Sequence, residues 1–219
     1  MMKNSRLQQL YFDGLETSID IARCSFVHLT EALLEYSMKK TGKAAIAQEE
    51  KTHILLYAWT VVDSIHRFIS LLAMTPGLKK STAVDLILRQ GDDISKLRNH
   101  IQHMNNAAAE IDVSGYPVWG YLSWLYATSE MYDAKEVHSL LFVPGRLSVS
   151  KGYRSINPAA GPFSIPIGRV TLSIEDTSVE LSRVMERVSA FYPLLQSAIS
   201  DAEKNDIIDT KGHFRLIIN

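Results

Sequence analysis

Apolar residues recur at intervals of three and four along the start of the chain: Leu7, Leu10, Tyr11, Leu15, Ile19, Ala22, Phe26, Leu29 and Leu33. Such spacing lays one apolar stripe along a helix, so a long helix is expected from about Ser5 to Lys40. Lys39 and Lys40 put positive charge in its last turn, where the helix dipole favours it, and Gly42 supplies a stop. A second long helix is expected from Ala45 to Met74, with "ILLYAWTVVDSIHRFISLLAM" as its buried part. Thr75-Pro76-Gly77 ends it, because proline has no N–H to continue the hydrogen-bond ladder. Ser81 is placed to cap a short helix through "TAVDLILRQ". Gly91 and Asp92-Asp93 break that helix and open the next, which should reach about Glu110.

The texture then changes. "YPVWGYLSWLYAT" (116–128), "VHSLLFV" (137–143) and "GRVTLSIED" (168–176) are rich in β-branched and aromatic residues, with Pro144-Gly145, Lys151-Gly152 and "SINPAAGPFSIP" between them. This composition predicts a small antiparallel sheet of about three strands joined by a long irregular loop. The first segment is so densely apolar that periodicity leaves a helix open as its alternative. Helical spacing returns from Thr177 to about Lys204 through Val179, Leu181, Val184, Val188, Phe191, Leu194, Leu195 and Ile199, and "TSVE" (177–180) fits a capping box. The tail "GHFRLIIN" suits a last strand or a frayed end. The expected fold is mainly α. A single domain over residues 1–219 forms a four- to five-helix bundle, with a β-rich insertion at 116–176 before the last long helix.

At 219 residues the chain is long enough to bury a substantial core. Its net charge of −1 argues against broad coating of nucleic acid but permits a local basic site. The single cysteine, Cys24, precludes an intrachain disulfide and fits a reducing compartment. Its setting in "IDIARCSFVHL" predicts a small buried residue. The first residues, "MMKNSRLQQLYFDG", show no apolar leader, and no segment approaches the roughly 20 apolar residues of a membrane span. A cytoplasmic protein without a membrane partner is expected.

Candidate chemistry concentrates in "DDISKLRNHIQHMNN" (92–106). Other leads are weaker. "TPGLKKST" (75–82) lacks the glycine offset and the Gly-Lys-Ser/Thr ending of a phosphate-binding loop, and it joins two helices rather than a strand and a helix. His100 and His103 could share a helix face as metal ligands do, but no cysteine or acidic residue stands at standard spacing, so no metal or other cofactor is expected. "GYRSIN" (152–157), with Arg146, Lys151 and Arg169 nearby, reads as a solvated loop before it reads as an RNA contact.

In "RNHIQH", Arg98 is followed directly by Asn99 and, after four intervening residues, by His103. With 11 arginines and 7 histidines, the bare Arg-to-His spacing arises by chance about once in such a chain. Requiring Asn, Asp or His after the arginine lowers that to about one in ten. The residue types suit metal-independent RNA cleavage. Histidine titrates near neutrality and can give or take the proton of a 2′-hydroxyl or a leaving 5′-oxygen. Arginine stays cationic and can hold two oxygens of a phosphorane. Asn99 and His103, at i and i+4, share one helix face, whereas Arg98 and His103 stand about 140° apart. Either Arg98 bends around at the helix start or two copies of the motif meet.

The motif, and its place on about the fourth helix, resemble the HEPN superfamily. The resemblance covers the helical part of the chain and leaves the β-rich segment outside. It implies a ribonuclease acting as a homodimer whose motifs converge in a shared cleft, with RNA as substrate. In that picture His103 is the acid/base, Arg98 the phosphate clamp and Asn99 the positioning group. His100 and Lys96 would contact substrate, and Asp63 and His66 on the second helix would border the cleft. The resemblance also implies a toxin or defence role, held in check by an antitoxin or regulatory protein. The alternative is a non-catalytic HEPN-like module that binds RNA or protein. A purely structural role would instead tie Arg98 to carboxylates such as Asp92, Asp93 or Glu110.

Overall fold

The structure is a computed structural model that describes residues 2–78, 81–114, 119–127, 137–145, 156 and 166–204. It is mainly helical, with a small antiparallel sheet before the last helix. Four helices come first: α1 (Met2–Thr41), α2 (Gln48–Met74), α3 (Thr82–Leu88) and α4 (Gly91–Ser114). The strands β1 (Tyr121–Ala127), β2 (Val137–Phe142), β3 (Ile167–Ile174) and β4 (Thr177–Glu180) follow, and α5 (Leu181–Lys204) closes the described chain. "GHFRLIIN" and nearly all of "GYRSIN" and "SINPAAGPFSIP" lie outside the described residues.

α1 and α2 form an antiparallel pair whose stripes face each other. Leu15, Ile19, Ala22, Leu29 and Leu33 of α1 are buried, as are Ile54, Ala58, Val61, Ile65, Phe68 and Leu72 of α2. At the junction, Glu50 accepts a hydrogen bond from the Ala47 N–H at 2.7 Å and pairs with Lys39. These contacts, Lys39 foremost, hold the Glu50 carboxyl below its usual range. Near the N-terminus the stripe runs out: Leu7 and Leu10 are exposed, and Gln8 turns inward to donate to the Pro76 carbonyl at 2.7 Å. Cys24 is exposed rather than buried. Two residues on from Ala22, it has rotated by about 200° to the outer side of the helix. Among the described residues, α2 is the one helix long and apolar enough to cross a membrane, and its apolar stripe is packed into the core. At α3 the expected cap is in place, with the Ser81 hydroxyl accepting from the Val84 N–H at 3.3 Å.

The sheet has four strands rather than about three, in the order β2-β1-β3-β4, with every pairing antiparallel. β1 is a strand, so the helical alternative falls. Leu122, Trp124 and Tyr126 belong to the main core, and Tyr121, Ser123, Leu125 and Ala127 are buried as well. A strand covered on both faces reads as a continuous apolar run and shows no alternation. "TSVE" is β4 and not the cap of the last helix. Val179 lies opposite Leu172, and the Ser173 and Ser178 hydroxyls are 2.8 Å apart. The two-residue turn Glu175-Asp176 makes this hairpin, with Glu175 at φ 52°, so α5 begins at Leu181.

One buried contact ties the sheet to the helices. The Trp124 indole N–H donates to the Ser37 hydroxyl of α1 at 2.9 Å, and that hydroxyl donates to the Leu33 carbonyl at 2.6 Å. Tyr36 meets Trp124 and Phe142 edge-on, each with ring centroids 5.6 Å apart. Ser37→Ala would leave a buried indole N–H without an acceptor, a loss of about 1–3 kcal/mol. Urea denaturation is expected to show a lower midpoint at unchanged slope, and an unchanged midpoint would show that this link contributes nothing.

Candidate functional site

The rotation of α4 about its own axis decides where the motif residues go. Gly91 lets the helix start close against α2, since a Cβ there would sit 3.0 Å from the Ile69 side chain. Asp92 and Asp93 in the first turn complement the positive end of the helix dipole. Ile94 and Leu97 are fully buried and Ile101 partly so, which pins one face of α4 to the core. At about 100° per residue, the motif then fans out. Arg98 turns toward α2, Asn99 and His103 lie on the exposed face, and His100 turns toward the β3–β4 hairpin.

Arg98 therefore reaches Asp63 on α2 and not Asp92 or Asp93. Its Nε lies 3.7 Å from Asp63 Oδ1, too far for a hydrogen bond. That Nε is nevertheless buried and has no hydrogen-bond partner, and Nη1 approaches Asn99 Oδ1 at 3.5 Å. The other Asp63 oxygen, Oδ2, accepts from Arg67 at 2.8 and 2.9 Å. Asp63 thus holds Arg67 tightly and Arg98 loosely. His66, one turn further along α2, has its pKa lowered by burial first and by the Arg98 cation second. Arg67 adds to this, and Asp63 pulls the other way.

The remaining candidates are dispersed. Lys96 pairs with Asp93 at 3.2 Å on the outer surface. His100 is mostly buried, with Nδ1 4.0 Å from Glu175 and Nε2 without a partner. His103 is exposed, and among the described residues it makes no hydrogen bond or ion pair. One chain brings Arg98, Asn99, Asp63 and His66 together and leaves His103, His100 and Lys96 on other faces. Among the described residues no group of three His, Cys, Asp or Glu is arranged to hold a metal ion.

Arg98 opens onto a cleft of about 300 Å³ between α2 and α4, whose lining includes Trp59, Thr60, Asp63, Arg67 and Gln102. Trp59, Thr60, Arg67 and Gln102 were not singled out in the sequence, although Trp59, Asp63 and Arg67 recur every four residues on α2 and so share a face. A larger hollow of about 550 Å³ lies between α1, α5 and the start of β3, and none of its lining residues belongs to α4. No family model, curated protein or solved structure matches this chain.

The lowered His66 pKa sets a pH dependence. The folded state disfavours the imidazolium, so this contribution to stability is complete above the unfolded-state value of about 6.5 and is lost as pH falls below it. In an NMR titration, Arg98→Ala is expected to raise the His66 pKa while leaving it below the free value, because burial persists. No movement would mean that the guanidinium does not act on this imidazole.

Proposed function

We propose that this chain is a metal-independent endoribonuclease of HEPN type, cytoplasmic and active as a homodimer. One observation carries the proposal: α4 holds the Arg98 guanidinium half-buried with an unsatisfied Nε and Nη1 turned to Asn99, while His103 stands on the adjacent exposed face with no partner among the described residues. A cation held in place but not saturated is suited to accept the oxygens of a phosphate whose charge grows during reaction. An exposed imidazole without an internal partner is available to substrate.

The reaction follows from these groups. The 2′-oxygen of RNA attacks the adjacent phosphorus, forming P–O2′ and breaking P–O5′. One His103 takes the 2′-hydroxyl proton, and the His103 of the second copy gives a proton to the departing 5′-oxygen. The products are a 2′,3′-cyclic phosphate and a 5′-hydroxyl. Arg98 stabilises the phosphorane and Asn99 orients the phosphate or an imidazole. Because Arg98 and His103 diverge on one helix, the second copy completes the site. His100 and Lys96 would contact flanking substrate only through the partner's approach. An antitoxin or regulatory protein that covers the exposed α4 face would silence the enzyme, and a toxin or defence role follows from the same resemblance.

The Arg98–Asp63 pairing favours a second reading, in which the guanidinium is neutralised internally and the chain is a non-catalytic HEPN-like module binding RNA or protein. Incubation with RNA in EDTA separates the two. Arg98→Ala and His103→Ala are each expected to lower cleavage by about 100-fold or more, with cyclic-phosphate ends in the wild-type product. Cleavage equal to wild type in both variants would overturn the site assignment, and binding without cleavage would establish the module. Mixing His103→Ala protein with wild type should lower activity beyond simple dilution, since each shared cleft uses both imidazoles. A proportional decline would exclude the shared cleft.

A further inference from the structure

The cleft beside Arg98 has an aromatic wall that the chemistry of Arg98, Asn99 and His103 does not use. Trp59 lines it from α2. Trp119, just before β1, stacks on Trp59 with ring centroids 5.9 Å apart and planes inclined by 27°. Trp119 is 43 % exposed, whereas every residue of the strand it introduces is buried. Its placement is constrained by Gly120, where φ is +70° and a Cβ would come within 2.6 Å of the Ser173 carbonyl oxygen. Only glycine fits there, so the chain turns sharply into β1 and leaves Trp119 against Trp59.

Two donors at this place lack partners: the Trp59 indole N–H and the Arg98 Nε–H are both buried and without a hydrogen bond. Buried donors left unpaired are costly, and a ligand that offers acceptors relieves them. Arg67 contributes a largely exposed guanidinium at the rim, with Thr60 and Gln102 supplying a hydroxyl and an amide. An alkyl ligand would leave the donors unpaired, and inorganic phosphate would make no use of the indoles. A flat ring edged with carbonyl or ring-nitrogen acceptors and joined to a phosphate uses both.

We propose that this cleft is a base-binding subsite. One unpaired nucleotide of RNA lays its base against Trp59, which Trp119 backs, and its phosphate competes with the Asp63 carboxylate for the guanidinium groups of Arg98 and Arg67. The subsite rests on the ribonuclease reading for the identity of its ligand, and it adds what that reading lacks, a place where single-stranded RNA is told from duplex. A base held in a helix is already stacked on its neighbours and cannot enter.

The test is equilibrium binding of a short fluorescent 2′-O-methyl RNA, which cannot supply the attacking hydroxyl, alongside cleavage of the unmodified strand. Trp59→Leu is expected to weaken binding by about ten- to a hundredfold, the range for one stacked base. Trp119→Ala, at an exposed ring, should act in the same direction and guards against a Trp59 variant that folds poorly. Oligonucleotides lacking one base at successive positions supply a control on the ligand side. At one position the missing base should weaken wild-type binding and abolish the effect of Trp59→Leu. Wild-type binding that ignores both tryptophans overturns the subsite and leaves the ribonuclease reading standing. Tryptophan-dependent binding without any cleavage upholds the subsite and overturns the ribonuclease. Absence of RNA binding by the wild type overturns both.

Discussion

The candidate site depends on how α2 is buried. This helix packs against α1, α3 and α4, so the direction of every side chain on it is set by the core. The contact of α4 with α2 through Ile94 and Leu97 then fixes the rotation of α4. Once those two apolar residues are inside, Arg98 has to lie along α2, and Asn99 and His103 have to face outward. No polar interaction is needed to aim them. The loose Arg98–Asp63 pair follows from this packing and does not cause it. A half-exposed ion pair contributes little stability on its own, whereas removing a buried Leu or Ile costs several-fold more.

The sheet serves the site at a distance. Trp124 fastens β1 to α1, and β1 in turn sets where Trp119 emerges. The β3–β4 hairpin brings Glu175 up to His100, so the sheet also packs against the helix that bears the motif. Phe68 of α2 meets Phe191 of α5 edge-on, with ring centroids 6.4 Å apart. The last helix thereby adds its apolar face to the same core.

The long helices were legible because their stripes outlast any local ambiguity, and Pro76 and Ser81 punctuate them clearly. What failed has identifiable causes. Cys24 sits within an apolar run but on the wrong side of the helix, and counting neighbours in sequence ignores rotation. β1 is covered on both faces, which erases the alternation that marks a strand. "TSVE" has the residues of a capping box, yet pairing with β3 satisfies the same backbone groups and wins. At the site, the separation of Arg98 and His103 followed from helix geometry alone, and Asp63 was within reach of inference from its place on α2. The Trp59–Trp119 stack was not, because it joins residues far apart in sequence through a turn that only Gly120 permits.

The outward position of Cys24 has a practical meaning. A chain with one cysteine, exposed on a long helix, carries a single addressable thiol per copy. Two copies in a symmetric assembly would carry two, related by the symmetry axis. A spin label or dye at that position would turn the question of how the protomers face each other into the measurement of one distance. α1 would act as a fixed arm between the probe and the axis, with no residue engineered and the α4 face untouched.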